Sequence, residues 1–295
     1  MKFFILLITF ATSPLFANYL SHPEAKSFIN EMVIKHGFEE SFVRNVLSDA
    51  TKQQSIIKSI SKPAEFTWTW DRYKKLFIED KRISNGKKFI TDNIEALQRA
   101  EKEFGVPKEI ITAIIGVETR YGKIQGNYRV IDSLTTLGFD YPRRSKFFRS
   151  ELVKFFLLTK ENDLNIYEVK GSYAGAMGYG QFISSSYRAY AIDYDGDQSA
   201  DLFNSVEDAI GSVANYLKVH GWKREGKIVT QSFPNNVRKV YKPNNSLSKF
   251  IPLSFNESGD EIYFIGDDNF VAITKYNISH FYAMAVYLLS EELKT

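Results

Sequence analysis

Residues 110–122 read IITAIIGVETRYG, an apolar run that ends in a single carboxylate, Glu118, four residues before Gly122. Because proline favours helix beginnings and glycine favours helix ends, we expect a buried helix that starts just after Pro107. Glu118 then lies in the last turn, where the negative end of the helix dipole and the apolar surroundings both disfavour the ionised carboxylate. A carboxyl group that stays protonated near neutral pH can act as a general acid. The alternative is an exposed helix-end glutamate that pairs with Arg120.

Three further segments follow this run in order along the chain. They read DYPRR at 140–144, GSYAGAMGYGQF at 171–182 and DAIGSVANY at 208–216. Together with residues 110–122, they resemble the membrane-bound lytic murein transglycosylase B family, whose catalytic domain is lysozyme-like. The resemblance is dense over 105–222 and returns over 276–287. It implies a mainly α fold (α+β) with a lysozyme-like α core, an N-terminal helical subdomain and a small β-rich insertion near the C-terminus.

The reaction implied by the resemblance needs only one carboxylate. Most glycoside hydrolases use two carboxylates that flank the bond. In lytic transglycosylases one glutamate, matched here by Glu118, protonates the oxygen of the MurNAc-β-1,4-GlcNAc bond. The same residue then takes the proton of the muramyl 6-hydroxyl, which gives a 1,6-anhydro end. Asp132 and Asp140 are candidates for a second carboxylate, although neither belongs to a catalytic motif of the family. A hydrolytic muramidase and a non-catalytic wall-binding protein remain as alternatives.

Eight other residues match family positions that face the substrate. They are Ser172 and Gln181 near the acid, Tyr216 in the cleft, Tyr276, Asn277 and Tyr282 at the border of the catalytic centre, and the pair Arg143 and Arg144. An asparagine there can bond an N-acetyl carbonyl, and arginines can hold the carboxylates of muropeptides. The alternatives are core packing for the tyrosines, a buried glycine- and alanine-rich packing segment over 171–182, and a solvated charge pair for the arginines.

The stretch DYDGDQSAD at 193–201 has the odd-position acid spacing of an EF-hand calcium loop. Two departures stand out: Gln198 stands where that loop has its turn glycine, and Asn204 stands where it has its closing glutamate. The resembled family closes a longer loop with a later acid, which helix alignment places at Asp208. The predicted ligands are Asp193, Asp195, Asp197, Ser199 and Asp208. We expect a structural Ca²⁺ and no cofactor for catalysis, with an acidic turn and a helix-capping Asp208 as the alternative.

The composition of the chain excludes several classes of function. The chain has 295 residues, of which 44% are hydrophobic and 25% charged, and a formal net charge of +3. This charge is too small to imply nucleic-acid binding. The absence of cysteine excludes a disulfide framework, a thiolate metal site and a cysteine nucleophile, and the four histidines lack the spacing of a zinc hydrolase. Through the resemblance, the expected partner is the glycan strand of peptidoglycan.

Residues 1–17 have the form of a secretory signal peptide, with Lys2, an apolar run over 3–11 and Ala17 at the cleavage position. Leu15 departs from the small residue that is usual at that point, and an uncleaved anchor is the alternative. Lipoproteins of the resembled family are anchored through a cysteine, which this chain lacks. We therefore expect a soluble periplasmic protein without a lipid anchor.

The remaining patterns divide the chain into four regions: a helical region over 18–104, a catalytic core over 105–222, a β-rich insertion over 223–275 and a C-terminal helix over 276–295. We expect one long amphipathic segment over 83–104. A capping box that begins at Ser205 predicts a helix that reaches His220. Short alternating runs between turn-forming residues predict strands from Lys227 to Thr274, with helical spacing again from Ser279.

Overall fold

The computed structural model describes residues 18–61, 68–233 and 251–294. The expected signal peptide, 1–17, and part of the expected β-rich insertion lie outside the described residues. The described chain is mainly helical. Its helices are α1 Ala25–His36, α2 Glu40–Asp49, α3 Gln54–Ile60, α4 Trp70–Phe77, α5 Asp80–Asp92, α6 Ile94–Phe104, α7 Lys108–Thr119, α8 Val130–Asp140, α9 Ser145–Glu161, α10 Ser184–Tyr190, α11 Val206–Val219, α12 Asp268–Tyr276 and α13 His280–Leu293.

Two small antiparallel sheets complete the fold. The strands are β1 Tyr128–Arg129, β2 Lys170–Gly171, β3 Val229–Ser232, β4 Ile251–Glu257 and β5 Asp260–Gly266. The first sheet pairs β1 with β2, and the second has the order β3-β5-β4. A two-residue turn joins β4 to β5, with Glu257 opposite Asp260 in the register. The prediction of a mainly helical fold with a small sheet near the C-terminus is therefore confirmed. The four predicted regional limits stay a prediction.

Helix α7 is the centre of the molecule. It begins directly after Pro107 and ends at Thr119, as its sequence predicts. Its residues 109–117 are all buried, and it packs against α5, α6, α11 and α13. The two residues that follow, Arg120 and Tyr121, have left-handed backbone angles (φ 53° and 62°), so the chain turns sharply just after Glu118. Within α7 this packing leaves only Lys108, in the first turn, and Glu118, in the last turn, partly exposed.

Two predicted elements are wrong in their boundaries. The amphipathic segment over 83–104 is not one helix, because α5 ends at Asp92 and α6 starts at Ile94. Between them, the Asn93 side chain donates to the carbonyl oxygen of Phe89 at 2.8 Å and ends the first helix. The strand-and-turn pattern to Thr274 also extends too far. The last strand ends at Gly266, and Asp268 already starts α12.

The C-terminal sheet is fixed to the helical body through α4. The Trp70 ring lies 4.6 Å from the Phe255 ring, and its indole N–H donates to Glu257 Oε2 at 3.1 Å. Lys74, one turn further along α4, pairs with the same carboxylate. Since α4 also packs on α13, these contacts help to orient the helix that returns to α7. None of the helices in the described ranges is long and apolar enough to cross a membrane.

Candidate active site

Glu118 is half-buried in the last turn of α7 and accepts a hydrogen bond from a tyrosine of α13. The Tyr282 hydroxyl donates to Glu118 Oε1 at 2.6 Å, and the Tyr282 side chain is buried. Ser279 caps α13 by accepting the N–H of Tyr282 at 3.2 Å, which fixes the first turn of the helix. Burial, and then the negative charge of Glu118, raise the pKa of the Tyr282 hydroxyl well above its usual value. The phenol therefore stays a donor to Glu118.

A second tyrosine links this pair to the glycine-rich segment. The Tyr276 ring is nearly parallel to that of Tyr282, at 9°, with centroids 6.5 Å apart. Its hydroxyl donates to the carbonyl oxygen of Gly180 at 2.5 Å. Burial and the charge of Glu118 also raise the pKa of the Tyr276 hydroxyl. The end of α12 is thereby held against residues 171–182.

The glycine-rich segment is also fixed directly to the end of α7. The Thr119 hydroxyl donates to the carbonyl oxygen of Tyr179 at 2.9 Å. Gly122 has φ +83°, and a Cβ there would lie 1.9 Å from Cε1 of the Tyr179 ring. Only glycine allows both this backbone conformation and this close approach. The segment therefore lies beside Glu118 because Thr119 and Gly122 hold it there.

Ser172 and Gln181 lie at the two ends of this segment, and each shapes its own turn. Ser172 Oγ accepts two backbone N–H groups of the turn that follows it, at 3.0 and 3.3 Å. Gln181 Nε2 donates to the carbonyl oxygens of Gln125 and Gly178, both at 3.0 Å. The amide N–H bonds thus orient the Gln181 side chain, whose carbonyl oxygen is not used in these bonds.

Tyr216 packs against Tyr276 and so joins the group of aromatic side chains formed by Tyr282 and Tyr276. Its ring meets that of Tyr276 edge to face at 4.8 Å and stacks on His220 at 3.9 Å. Its hydroxyl donates to the carbonyl oxygen of Lys275 at 2.6 Å, and burial raises the pKa of Tyr216 to about 12. Asn277 follows as the C-terminal cap of α12, and within the described residues its side-chain amide makes no hydrogen bond.

The structure does not join Arg143 and Arg144 to this group. Both are exposed in the short 3₁₀ turn Pro142–Arg144. The Arg144 guanidinium lies over the ring of Phe147 at 4.3 Å and near that of Phe148 at 5.3 Å. No contact among the described residues connects either arginine to Glu118 or its tyrosines.

The two other candidate carboxylates are engaged elsewhere. Asp132 accepts hydrogen bonds from the Arg129 guanidinium at 2.8 and 3.0 Å and from the N–H of Thr51 at 2.8 Å. Asp140 accepts from the Tyr19 hydroxyl at 2.8 Å and pairs with Lys52 at 2.7 Å. Both acids therefore fasten α8 to the N-terminal segment.

Arg120, the residue considered as an ion-pair partner of Glu118, pairs with Glu79. Its guanidinium Nη1 lies 2.9 Å from Glu79 Oε1. Because Arg120 has a left-handed backbone at the end of α7, its side chain leaves the helix axis in a different direction from that of Glu118. An Arg120 pair with Glu79 ties the end of α7 to the start of α5.

The acidic loop brings three of its predicted ligands together. Oxygen atoms of Asp193, Asp195 and Asp197 all lie within 4.8 Å of one another, on exposed side chains. Asp193 Oδ1 accepts the N–H of Gly196 at 2.7 Å, so backbone N–H groups hold the loop in a tight turn. Gln198 has φ 78°, the left-handed conformation expected where an EF-hand loop has glycine. All-oxygen donors of this kind suit Ca²⁺.

Asp208 and Ser199 are placed differently from the predicted ligand set. The Asp208 carboxylate is buried and accepts the N–H groups of Tyr194, Asp195 and Asp201 at 2.6, 3.1 and 2.8 Å. It lies outside the group of three acids and instead organises the loop backbone. Burial raises the pKa of Asp208, although these N–H donors oppose the shift. Ser199 donates its backbone N–H to Asp197 at 2.8 Å.

The sequence and the fold of this chain are similar to those of known proteins. The model of the transglycosylase SLT domain family matches residues 21–291. The chain belongs to this family. It is 38% identical over 302 residues to the membrane-bound lytic murein transglycosylase B of Escherichia coli (strain K12), over 93% of this chain and 83% of that protein. The predicted resemblance is confirmed, and the chain is a lytic transglycosylase.

Solved structures of relatives share the whole fold. Soluble lytic transglycosylase SltB1 from Pseudomonas aeruginosa is 41% identical with a TM-score of 0.85, over 92% of this chain and 98% of that one. Escherichia coli Slt35, solved in complex with calcium, is 37% identical with a TM-score of 0.84, over 94% of each chain. Pseudomonas aeruginosa SltB3, solved in complex with NAG-NAM-pentapeptide, is 26% identical with a TM-score of 0.78, over 92% of this chain and 78% of that one.

Two residues that hold the end of α7 in this lytic transglycosylase were missed by sequence reasoning. Arg82 is only 3% exposed, and its guanidinium donates to the carbonyl oxygens of Gly116 at 2.7 Å and Leu76 at 3.2 Å. The Tyr121 hydroxyl donates back to the carbonyl oxygen of Arg82 at 2.9 Å. An arginine in an amphipathic helix looks like a surface charge in sequence, so only the packing of α5 on α7 reveals its place.

Proposed function

We propose that this chain cleaves the MurNAc-β-1,4-GlcNAc bond of peptidoglycan without water, with Glu118 as acid and then base. The observation that carries the proposal is the hydrogen bond from Tyr282 to a half-buried Glu118, 2.6 Å long. The engagement of Asp132 and Asp140 in distant ion pairs supports a mechanism with one carboxylate. The murein named for the Escherichia coli relative and the NAG-NAM-pentapeptide bound by SltB3 support the substrate class.

In the first step, the protonated carboxyl of Glu118 gives its proton to the glycosidic oxygen as the bond to the muramyl C1 breaks. The carbonyl oxygen of the substrate's own N-acetyl group stabilises the positive charge that develops at C1. Glu118 is then ionised, and the Tyr282 hydroxyl, whose high pKa keeps it protonated, donates to the new carboxylate. A donor aimed at developing charge stabilises the state in which that charge exists.

In the second step, ionised Glu118 takes the proton of the muramyl 6-hydroxyl while the 6-oxygen bonds to C1. The product is a 1,6-anhydromuramyl end, and Glu118 returns to its protonated form. No water is consumed, so the protein needs only to position the sugar and keep solvent away. Intramolecular attack is fast when the reacting atoms are held close together. The glycine-rich segment beside Glu118, fixed by Thr119 and Gly122, suits close approach of a sugar ring to the backbone.

The surroundings of the other predicted substrate-binding residues favour a different role for each. The unbonded amide of Asn277 suits an N-acetyl carbonyl, and the tyrosines Tyr216 and Tyr276 offer ring surface for sugars. Gln181 has its amide N–H groups occupied, which leaves its carbonyl oxygen to accept from a sugar hydroxyl. Ser172 supports the turn and can still donate its hydroxyl proton. Exposed Arg143 and Arg144 suit carboxylates on the lactyl or peptide part of the substrate, outside the aromatic group.

A calcium ion at the acidic loop has a structural role in this proposal. Asp193, Asp195 and Asp197 fit such an ion because their oxygens converge within 4.8 Å. The calcium complex of Slt35 supports the same assignment. The ion offsets repulsion among three carboxylates, and the buried Asp208 behind them holds the loop backbone in place.

The proposed location is the periplasm, where peptidoglycan lies. It rests on the expected signal peptide at 1–17 and on the substrate class of the relatives. Fractionation of cells that express the full chain tests it: the protein should appear in the periplasmic fraction without its first 17 residues.

Glu118→Gln tests the assignment of the acid. Glutamine is nearly isosteric and can still accept from Tyr282, so the fold and glycan binding should persist. It cannot donate and recover a proton, so solubilisation of purified sacculi should slow by about a hundredfold or more. A rate within about tenfold of the wild type would show that Glu118 is not the acid.

A further inference from the structure

A charged groove separates α1 from α9, on elements that the proposed chemistry does not use. Its volume is about 420 Å³, within the range of small-ligand sites. Glu24 and Glu31 lie on one wall, Lys146, Arg149 and Lys154 lie on the other, and Phe28 lies between them. Phe28 is buried, so the floor of the groove is apolar.

The opposite charge of the two walls follows from helix periodicity. Glu31 lies seven residues after Glu24, which is two turns along the same side of α1. Lys146 and Arg149 are three residues apart on α9, and Lys154 lines the same groove. An acidic wall thus faces a basic wall across the groove.

Few of these charges neutralise one another. Arg149 Nη2 and Glu24 Oε2 are 3.6 Å apart, which is the one ion pair across the groove among the described residues. Glu31 pairs along its own helix with Lys35 at 3.3 Å, in an exposed position. Neither Lys146 nor Lys154 forms an ion pair with any residue in the described ranges. In the part of the chain that the structure describes, the two lysines of α9 therefore have no ion-pair partner across the groove, and Glu31 is held only by an exposed pair on its own helix.

We propose that this groove binds a short peptide that carries both a free ammonium group and carboxylates, as the stem peptides of peptidoglycan do. Lys146 and Lys154 suit the carboxylates, and Glu31 suits the ammonium group. A polyanion without an ammonium group would meet Glu24 and Glu31, and a polycation would meet the lysines. The inference rests on the proposed substrate, since it assigns a second contact to the same polymer.

Titration calorimetry tests the groove with a ligand that the enzyme cannot cleave. The probe is a free stem tetrapeptide with a diamino acid at its third position and no sugar. We expect one site per chain in the wild type and affinity at least about tenfold weaker in Lys146→Ala/Lys154→Ala, because charge complementarity is lost. Lys87→Ala, an exposed lysine of α5, is the matched control and should bind like the wild type.

Acetylation of the peptide's side-chain ammonium provides a second arm. It should weaken binding to the wild type but leave the affinity of Glu31→Gln unchanged, since that variant lacks the carboxylate that pairs with the ammonium group. Absence of binding at millimolar peptide, or equal affinities in the wild type and the double lysine variant, overturns the inference. An equal effect of acetylation on the affinities of the wild type and Glu31→Gln also overturns the inference.

The two proposals fail separately. A wild-type enzyme that makes anhydro ends but binds no free peptide loses the groove inference alone. Groove-dependent peptide binding by an enzyme that releases hydrolytic products keeps the groove and rejects the proposed reaction.

Discussion

The hydrogen bond from Tyr282 to Glu118 gives a sharp test of how the site works. Tyr282→Phe removes one hydroxyl and keeps the ring, so the parallel contact with Tyr276 and the packing of α13 remain. The side chain is 2% exposed, so water cannot readily replace the lost donor. The perturbation is therefore confined to the bond at Glu118 Oε1.

The size of the effect follows from the kind of bond that is lost. A hydrogen bond to a charged group contributes about 1.5–3 kcal/mol. If the bond acts fully on the ionised carboxylate formed in the first step, its loss slows the reaction by about 10- to 150-fold. The ionised form of Glu118 also loses a donor, so the carboxyl stays protonated to higher pH. The high-pH limb of the activity profile should therefore move to higher pH.

The assay is the rate of release of soluble muropeptides from sacculi across a pH series, with the melting temperature measured in parallel. Tyr276→Phe is the matched control, because its hydroxyl donates to the carbonyl oxygen of Gly180 rather than to Glu118. It should lower the rate by no more than about tenfold, the worth of a neutral hydrogen bond, and leave the pH profile in place. A Tyr282→Phe rate within about threefold of the wild type, with an unchanged profile, would show that this bond does not stabilise ionised Glu118.

Two further predictions concern stability. Ca²⁺ should raise the melting temperature of the wild type, because binding to the folded state stabilises it in proportion to ligand excess. The variant Asp193→Asn/Asp197→Asn should lose this shift and keep its activity at low temperature. Equal melting temperatures of the wild type in calcium and in chelator would mean that the loop is only an acidic turn. Gly122→Ala should destabilise the fold by about 2–4 kcal/mol in chemical denaturation, since strain at φ +83° adds to the clash with Tyr179. Gly37→Ala, with φ +66° and open space around its Cβ, should lower the free energy of unfolding by only about 1–2 kcal/mol. Equal losses of stability in the two variants would mean that the close approach of Tyr179 to Gly122 has no effect on stability.

The sequence predicts most of the helical architecture because its local signals are strong. Pro107 marks the start of α7, and Gly122 marks the region where it ends. Ser205 accepts the N–H of Asp208 at 3.2 Å, as a cap should. The signals fail where a side chain bonds a backbone carbonyl of the preceding turn, as Asn93 does with Phe89. An asparagine within a periodic pattern does not show which bond it makes.

The site is predicted less completely than the fold, because its contacts join distant parts of the chain. The family resemblance selects Tyr282 and Tyr276, but not that one hydroxyl meets Glu118 and the other meets Gly180. Asp208 shows the same limit. The family resemblance implies that it is a metal ligand, and only the structure reveals that backbone N–H groups already surround it. Buried Arg82 has no sequence signal at all.

Mass spectrometry of the products released from purified sacculi shows whether the muramyl 6-hydroxyl or water attacks C1. In the proposed mechanism Glu118 acts alone and the muramyl 6-hydroxyl attacks C1, so 1,6-anhydromuramyl ends are expected. The hydrolytic product carries one additional water and a reducing end, so the two outcomes differ in mass. Mainly reducing muramic acid ends would contradict the account and indicate a muramidase.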